Sequence, residues 1–122
     1  MSINPLTVLV TIALFGLVFG LGFMLQRRGR PHNVLLLTAH KLIALAALIL
    51  MAITVIRINR VTPLDTVALV AAAAMAAFFV VAIISGGLVS TDKPATPITL
   101  LLHRVTPFVT VAGAVATYFL LP

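Results

Sequence analysis

The run LTVLVTIALFGLVFGLGFML spans residues 6–25, contains no charged side chain and ends at Gln26-Arg27-Arg28. A helix needs roughly 20 mostly apolar residues to cross the hydrocarbon core of a bilayer, and this run is long enough. No Lys or Arg precedes Arg27, and no small-residue cleavage site follows the run. We therefore expect a retained membrane helix here and not a cleaved signal peptide.

Three more apolar runs follow, and the four predicted helices span about residues 6–26, 33–57, 63–88 and 97–121. The third is expected to begin at Thr62-Pro63, with Thr as the N-cap and Pro at the first helical position. The connections are short, so consecutive helices should be antiparallel neighbours. Helices satisfy their backbone hydrogen bonds internally in lipid, and the runs lack the alternation of barrel strands. The sequence predicts an all-α fold, a transmembrane up-down-up-down four-helix bundle that forms a single domain over residues 1–122.

The composition requires lipid as the solvent. Hydrophobic residues make up 62% of the chain and charged residues 8%, whereas a soluble domain carries about 25% charged residues. The chain has no cysteine, which excludes a disulfide, an iron–sulfur cluster and a thiolate ligand or nucleophile. It also has no Gly-rich phosphate loop, no paired carboxylates and no nucleophile-plus-base constellation. Hydrolytic chemistry is therefore not expected.

The charge distribution predicts the orientation of the bundle. The net charge is +6, from eight Lys and Arg against Asp65 and Asp92. Basic residues at the ends of apolar runs favour anionic lipid head groups over nucleic acid as partners. Six of them lie at the end that holds the first and third connections: Arg27, Arg28, Arg30, Lys41, Lys93 and Arg104. We expect that end in the cytoplasm and both termini outside, in a bacterial inner membrane.

Two histidines, His40 and His103, fall early in the second and fourth predicted helices, which cross the membrane in the same direction. Ionisable side chains inside lipid are costly, face the bundle interior and indicate a function by default. These helices are diagonal partners, a spacing that leaves room for a flat macrocycle with a neutral imidazole on each side of its metal. We predict that His40 and His103 are the metal ligands of one haem b. The alternative is helix-to-helix hydrogen bonding without a cofactor, and His32 is expected to be an interfacial residue.

Lys41 and Arg104 each directly follow a histidine, so each points about 100° away from it around the helix. Both are expected to extend toward the membrane boundary and bind the two haem propionates. The alternative is that they are positive-inside anchors. Thr99 or Thr106 is the expected acceptor for the second N–H of His103.

Small side chains near the histidines are expected to make room for the cofactor ring. Those predicted to line it are Ala44, Ala47, Thr106 and Thr110, with Gly16 and Gly20 of the first helix as further candidates. The Gly16-x-x-x-Gly20 spacing favours a close helix–helix contact over this role.

The chain also carries a faint internal repeat. Three residues recur 63 positions later: Pro31, His40 and Lys41 as Pro94, His103 and Arg104. Parallel repeats are common in membrane bundles. The sequence therefore predicts that the bundle is a duplicated hairpin.

The segments Thr38-Ala39-His40-Lys41-Leu42 and Leu102-His103-Arg104-Val105-Thr106 resemble small membrane cytochromes b, and more broadly the cytochrome b561 group. The resemblance implies a four-helix core, bis-histidine haem ligation and electron exchange with a quinone or a soluble donor. Members of that group usually carry two haems, whereas this chain has histidines toward one end of the bundle only, so one haem is implied. His103-Arg104-Val105-Thr106 also resembles the His-Arg-x-Thr segment in the cytochrome b anchor of succinate dehydrogenases, at a quinone and haem site.

The leading hypothesis is an electron-transfer protein or oxidoreductase subunit that binds one haem b. Its partners would be a quinone in the bilayer and a cytoplasmic or complex-bound redox protein.

The second hypothesis is a non-catalytic anchor or assembly subunit of a larger membrane complex, motivated by the Gly16/Gly20 face. A third has the histidines ligating chlorophyll-type magnesium. The lack of a carboxylate deep in the predicted helices argues against a proton relay.

Overall fold

A computed structural model describes residues 2–91 and 93–122. These residues form four α-helices and no strand: α1 Pro5–Arg28, α2 Val34–Val61, α3 Thr66–Val89 and α4 Pro97–Leu120. Each helix is long and apolar enough to cross a membrane. The predicted all-α, four-helix transmembrane bundle is confirmed, and the chain is an integral membrane protein whose environment is a lipid bilayer.

Each helix begins at a polar side chain that caps it. The side-chain oxygens of Asn4, Asn33, Asp65 and Thr96 accept hydrogen bonds from N–H groups of the first turns. Those N–H groups have no carbonyl partner within the helix, so the caps satisfy them. Proline also occupies the first turn of α1 and α4, where its missing N–H costs nothing.

The third helix begins later than predicted. Thr62 caps the C-terminus of α2, which continues to Val61, and Asp65 is the N-cap of α3. The Leu64 N–H donates to the side chain of Asn59 at 2.9 Å, which stabilises the turn between the two helices. Polar residues at the end of an apolar run do not stop a helix, because its backbone bonds persist into the head-group region.

Two helical hairpins make up the bundle. α1 packs along α2 in hairpin 1 (residues 5–61), and α3 packs along α4 in hairpin 2 (residues 66–120), with less extensive contact between α2 and α3. We call the end with the first and third connections the His end. The other end, with both termini and the second connection, is the terminal end.

The centre of the bundle is filled by the buried cluster Ala47, Met51, Met75, Phe79 and Ala114. Large apolar side chains cover the outside instead, with Phe119 87% exposed and Leu35 77% exposed. An apolar exterior is expected where lipid is the solvent, because lipid tails are as apolar as the side chains that face them.

Hydrogen bonds join the hairpins at the terminal end. The Ile3 N–H donates to the carbonyl of Pro122 at 2.9 Å. The hydroxyls of Thr11 and Tyr118 share a hydrogen bond of 2.7 Å between α1 and α4. Both contacts close the bundle between its first and last helices.

Arg30 joins the hairpins at the His end. Its guanidinium donates hydrogen bonds of 2.7, 2.8 and 3.2 Å to the carbonyls of Val89, Thr91 and Lys93. The last carbonyls of a helix lack intrahelical partners and attract cations, which explains the contact with the end of α3. The first connection is thereby fastened to hairpin 2.

Equivalent residues of the two hairpins contact each other across the centre. Phe15 in α1 lies against Phe79 in α3, which is 64 residues later, with ring centroids 5.7 Å apart. His40 in α2 faces His103 in α4, which is 63 residues later. Contacts between equivalent positions are what a two-fold axis along the bundle produces. The geometry supports the predicted duplication.

Candidate functional site

His40 and His103 form a pair inside the bundle. Each is the seventh residue of its helix, so both lie at the same depth, about 9 Å from the helix starts. Their ring centroids are 6.4 Å apart and their planes are at 83°. Both side chains are partly buried. The structure therefore brings together the two residues that the sequence predicts to be metal ligands.

Helix α1 orients His40. Its Nδ1 lies 3.0 Å from the carbonyl oxygen of Val18. One turn further along α1, Gly22 makes the surface on which the ring rests, because a Cβ there would lie 3.1 Å from the ring Cε1. A larger residue at position 22 would push the imidazole away from its carbonyl partner.

Helix α3 orients His103 in the same way. Its Nδ1 lies 3.1 Å from the carbonyl oxygen of Ala82, and the buried hydroxyl of Ser85 is within 3.4 Å. Gly86 is one turn further along α3, and a Cβ there would lie only 2.7 Å from the ring Cε1. Each hairpin thus contributes one histidine, one backbone carbonyl and one glycine.

These hydrogen bonds define which nitrogen of each ring is free. A carbonyl oxygen only accepts, so in the neutral imidazole the proton lies on Nδ1 and the lone pair on Nε2. The Nε2 atoms of His40 and His103 make no hydrogen bond with any described residue. Metal-bound histidines commonly donate their other N–H to a carbonyl, which fixes the tautomer and the ring orientation.

The separation of the rings is that of a direct edge-to-face aromatic contact, and it is also long enough for one metal between two imidazole nitrogens. A metal–nitrogen bond is about 2.0 Å long, so imidazoles on opposite sides of one metal have centroids roughly 6 Å apart. The observed separation is 6.4 Å. The described residues contain no group of three or more metal-ligating side chains. A metal at this site would therefore take its remaining ligands from a group other than these side chains.

Phe19 follows Val18, the residue whose carbonyl contacts His40, and it makes an aromatic contact with Phe108, which is 67% exposed. The rings of Phe19 and Phe108 have centroids 5.3 Å apart and connect α1 with α4.

The small residues predicted to line a cofactor lie in the packed interior. Ala47 and Thr110 are fully buried, Thr106 is 5% exposed, and Ala44 packs against the buried cluster. The hydroxyls of Thr106 and Thr110 donate to carbonyls one turn earlier in α4, at 2.7 and 2.8 Å. They are not directed at an imidazole.

Neither Thr99 nor Thr106 makes the predicted hydrogen bond with the ring of His103. Thr99 shares a hydrogen bond with the Thr96 hydroxyl at 2.8 Å near the start of α4. The carbonyls of Val18 and Ala82 accept from the histidines instead. Backbone acceptors on the preceding helix are closer to the rings than side chains on the same helix.

Lys41 and Arg104 are exposed beside the pair. Neither side chain has a hydrogen bond or an ion pair with another described residue, which leaves both cations available to an external anion. Asp92, the alternative acidic partner, lies outside the described residues. Both roles considered for these two residues therefore stay predictions.

The glycines beside the histidines are not the ones predicted. Gly16 and Gly20 are exposed, and a Cβ at either would meet no atom within 4 Å. The role considered for them at the edge of a cofactor has no support in this geometry, nor does a close contact with another described helix. The two glycines at the rings are Gly22 and Gly86, which are 64 residues apart, the same offset as that between Phe15 and Phe79.

The fold and the site define a class: a membrane-spanning four-helix bundle with an oriented pair of interior histidines. Comparison with known protein families, curated protein sequences and solved structures finds no match to this chain.

Proposed function

We propose that this chain is a membrane b-type cytochrome, similar to the cytochrome b561 group, that binds one haem between His40 and His103. The observation that carries the proposal is the symmetric orientation of the two imidazoles. Each Nδ1 is held by a backbone carbonyl at 3.0–3.1 Å, and the rings are 6.4 Å apart with Nε2 unpartnered.

A haem suits this site better than a bare metal ion. Two protein ligands are too few for a structural zinc site, which needs four. A haem would bring four of its iron's ligands itself, and His40 and His103 would supply the other two, for which neutral histidine is a standard choice. When bound, the haem supplies one-electron chemistry. The protein would contribute the imidazoles and the carbonyl bonds that make them stronger ligands.

The cations beside the pair support a carboxylate-bearing cofactor. Lys41 and Arg104 follow the two ligands and lack partners among the described residues. We infer that they bind the two propionates, and that a quinone in the bilayer and a protein at the His end are the redox partners. We also propose that the His end faces the cytoplasm of a bacterial inner membrane, because most of the basic residues lie at that end.

The proposal is tested by measuring haem in the purified protein. We expect one haem b per chain in the wild type and His32→Ala, and no bound haem in His40→Ala or His103→Ala. His32 is the matched control because it is a histidine of the His end outside the pair. Extraction of a magnesium pigment instead of haem would support the third hypothesis and overturn this one.

A non-catalytic anchor or assembly subunit is the second candidate. The exposed Gly16 and Gly20 surface of α1 favours it, since nothing in the described chain lies within 4 Å of a Cβ there and small residues allow close helix contacts. In that case the protein is colourless and is stable only with its partner. If the protein is purified from haem-replete cells without haem and without a partner, and is still stable, both the cytochrome and the anchor-subunit hypotheses are excluded.

A further inference from the structure

A second polar site lies at the terminal end, far from the histidines. An open pocket of about 220 Å3 separates the start of α1 from the last turns of α2. Its polar lining includes Thr7 and Arg57, and its apolar lining includes Leu50 and Ile53. None of the described residues that line this pocket is Asp or Glu.

The deepest lining residue of α2 is the apolar Leu50, whereas most residues near the mouth are polar, although the apolar Ile3 and Ile58 lie among them. Leu50, Ile53 and Arg57 follow one another at helical spacing on a single face of α2. Arg57 lies nearest the terminal end, and Leu50 lies about 10 Å deeper along the helix. Such a gradient fits a ligand with an anionic head and an apolar tail.

The cation at the mouth is available for that ligand. Arg57 is exposed and makes no hydrogen bond or ion pair with another described residue. The hydroxyl of Thr7 is likewise unpartnered, whereas that of Thr54 donates to the Leu50 carbonyl at 2.8 Å. A guanidinium with a neighbouring hydroxyl is a suitable donor set for a phosphate group.

We propose that this pocket binds the phosphate head group of an anionic phospholipid, with an acyl chain lying along Leu50 and Ile53. Binding of a phospholipid here does not require the proposed haem. With a haem at the histidines, a redox-active quinone is a poorer occupant, because Arg57 lies 17 residues beyond His40 in α2 and is therefore about 25 Å away from it.

The test compares lipid retention in two arginine variants. Arg60 lies in the same last turns of α2 but outside the pocket lining, so Arg60→Gln is the matched control for Arg57→Gln. We expect native mass spectrometry of protein purified in mild detergent to show bound anionic phospholipid on the wild type and on Arg60→Gln. Arg57→Gln should bind about tenfold more weakly, as expected for the loss of a charge-assisted hydrogen bond. Arg57→Lys, which keeps the charge, should recover part of the affinity.

Titration of delipidated protein identifies the source of the phosphate. Short-chain phosphatidylglycerol should bind more tightly than short-chain phosphatidylcholine and much more tightly than inorganic phosphate. Equal binding of inorganic phosphate, equal losses in both arginine variants, or a quinone in place of the lipid would each overturn the proposal. An intact helical spectrum of Arg57→Gln verifies that any loss comes from the pocket and not from unfolding.

Discussion

At the scale of single residues, the environment of each imidazole is set by a backbone carbonyl and a glycine on the preceding helix. The positions of His40 and His103 are predictable from sequence, because an ionisable side chain stands out in an apolar run. Their partners are not predictable in this way. Every residue has a carbonyl, so Val18 and Ala82 carry no side-chain signal, and Gly22 and Gly86 become significant only once the helices are packed.

Gly86→Ala should displace His103. The added Cβ would lie 2.7 Å from the ring Cε1, a distance that forces the ring or α3 to move. We expect a loss of about 1–3 kcal/mol in the free energy of unfolding and a marked loss of bound haem. Gly87→Ala is the matched control, since its Cβ would meet nothing within 4 Å. Equal haem contents in the two variants would show that Gly86 does not support the site.

Lys41→Gln and Arg104→Gln test whether these cations hold the propionates. We expect each variant to release haem to a competing apo-protein roughly fivefold more readily, in keeping with the loss of one partly exposed ion pair. Lys93→Gln removes a cation from the same end without a predicted cofactor contact and should leave haem release unchanged. If all three variants behave alike, Lys41 and Arg104 are membrane anchors only.

At the scale of helices and hairpins, hydropathy and capping signals predict most of the observed structure. Four apolar runs become four helices, and the prolines at the starts of α1 and α4 lie where an N–H is not needed. The boundary between α2 and α3 is less predictable. Thr62 and Asp65 are both good caps, and the choice of Asp65 depends on the turn that Asn59 stabilises.

Arg30 should control the spacing of the two hairpins at the His end. Arg30→Gln removes the three hydrogen bonds to carbonyls at the end of α3 and in the third connection. Because the side chain is exposed, we expect a loss of only about 1 kcal/mol in the free energy of unfolding, together with weaker haem retention. Arg28→Gln is the control, since Arg28 makes no such bond within the described chain. Unchanged stability and haem content in Arg30→Gln would show that the contact is dispensable.

At the scale of the whole molecule, two related hairpins enclose one site between them. The offset of 63 residues is visible in the sequence for the histidine helices. The corresponding offset between α1 and α3 is 64 residues, seen in the contact of Phe15 with Phe79. A sequence comparison at an offset of 63 residues therefore does not align α1 with α3. The equivalence of Gly22 and Gly86 becomes visible only in the packed helices.

The orientation in the membrane can be measured with single cysteines, because the chain has none of its own. We expect Ser2→Cys to react with a membrane-impermeant maleimide added to intact spheroplasts. Ala95→Cys, in the third connection, should react only after permeabilisation. The opposite pattern of labelling would place the His end and its basic residues outside.

The central claim, one haem between His40 and His103, is tested most directly by a dithionite-reduced minus oxidised absorption spectrum of the purified protein. We predict a sharp α-band of a b-type cytochrome in the wild type and in His32→Ala. The band should be absent or strongly altered in both His40→Ala and His103→Ala. A wild-type protein from haem-replete cells without an α-band, or a His40→Ala variant with an unchanged spectrum, would contradict the claim.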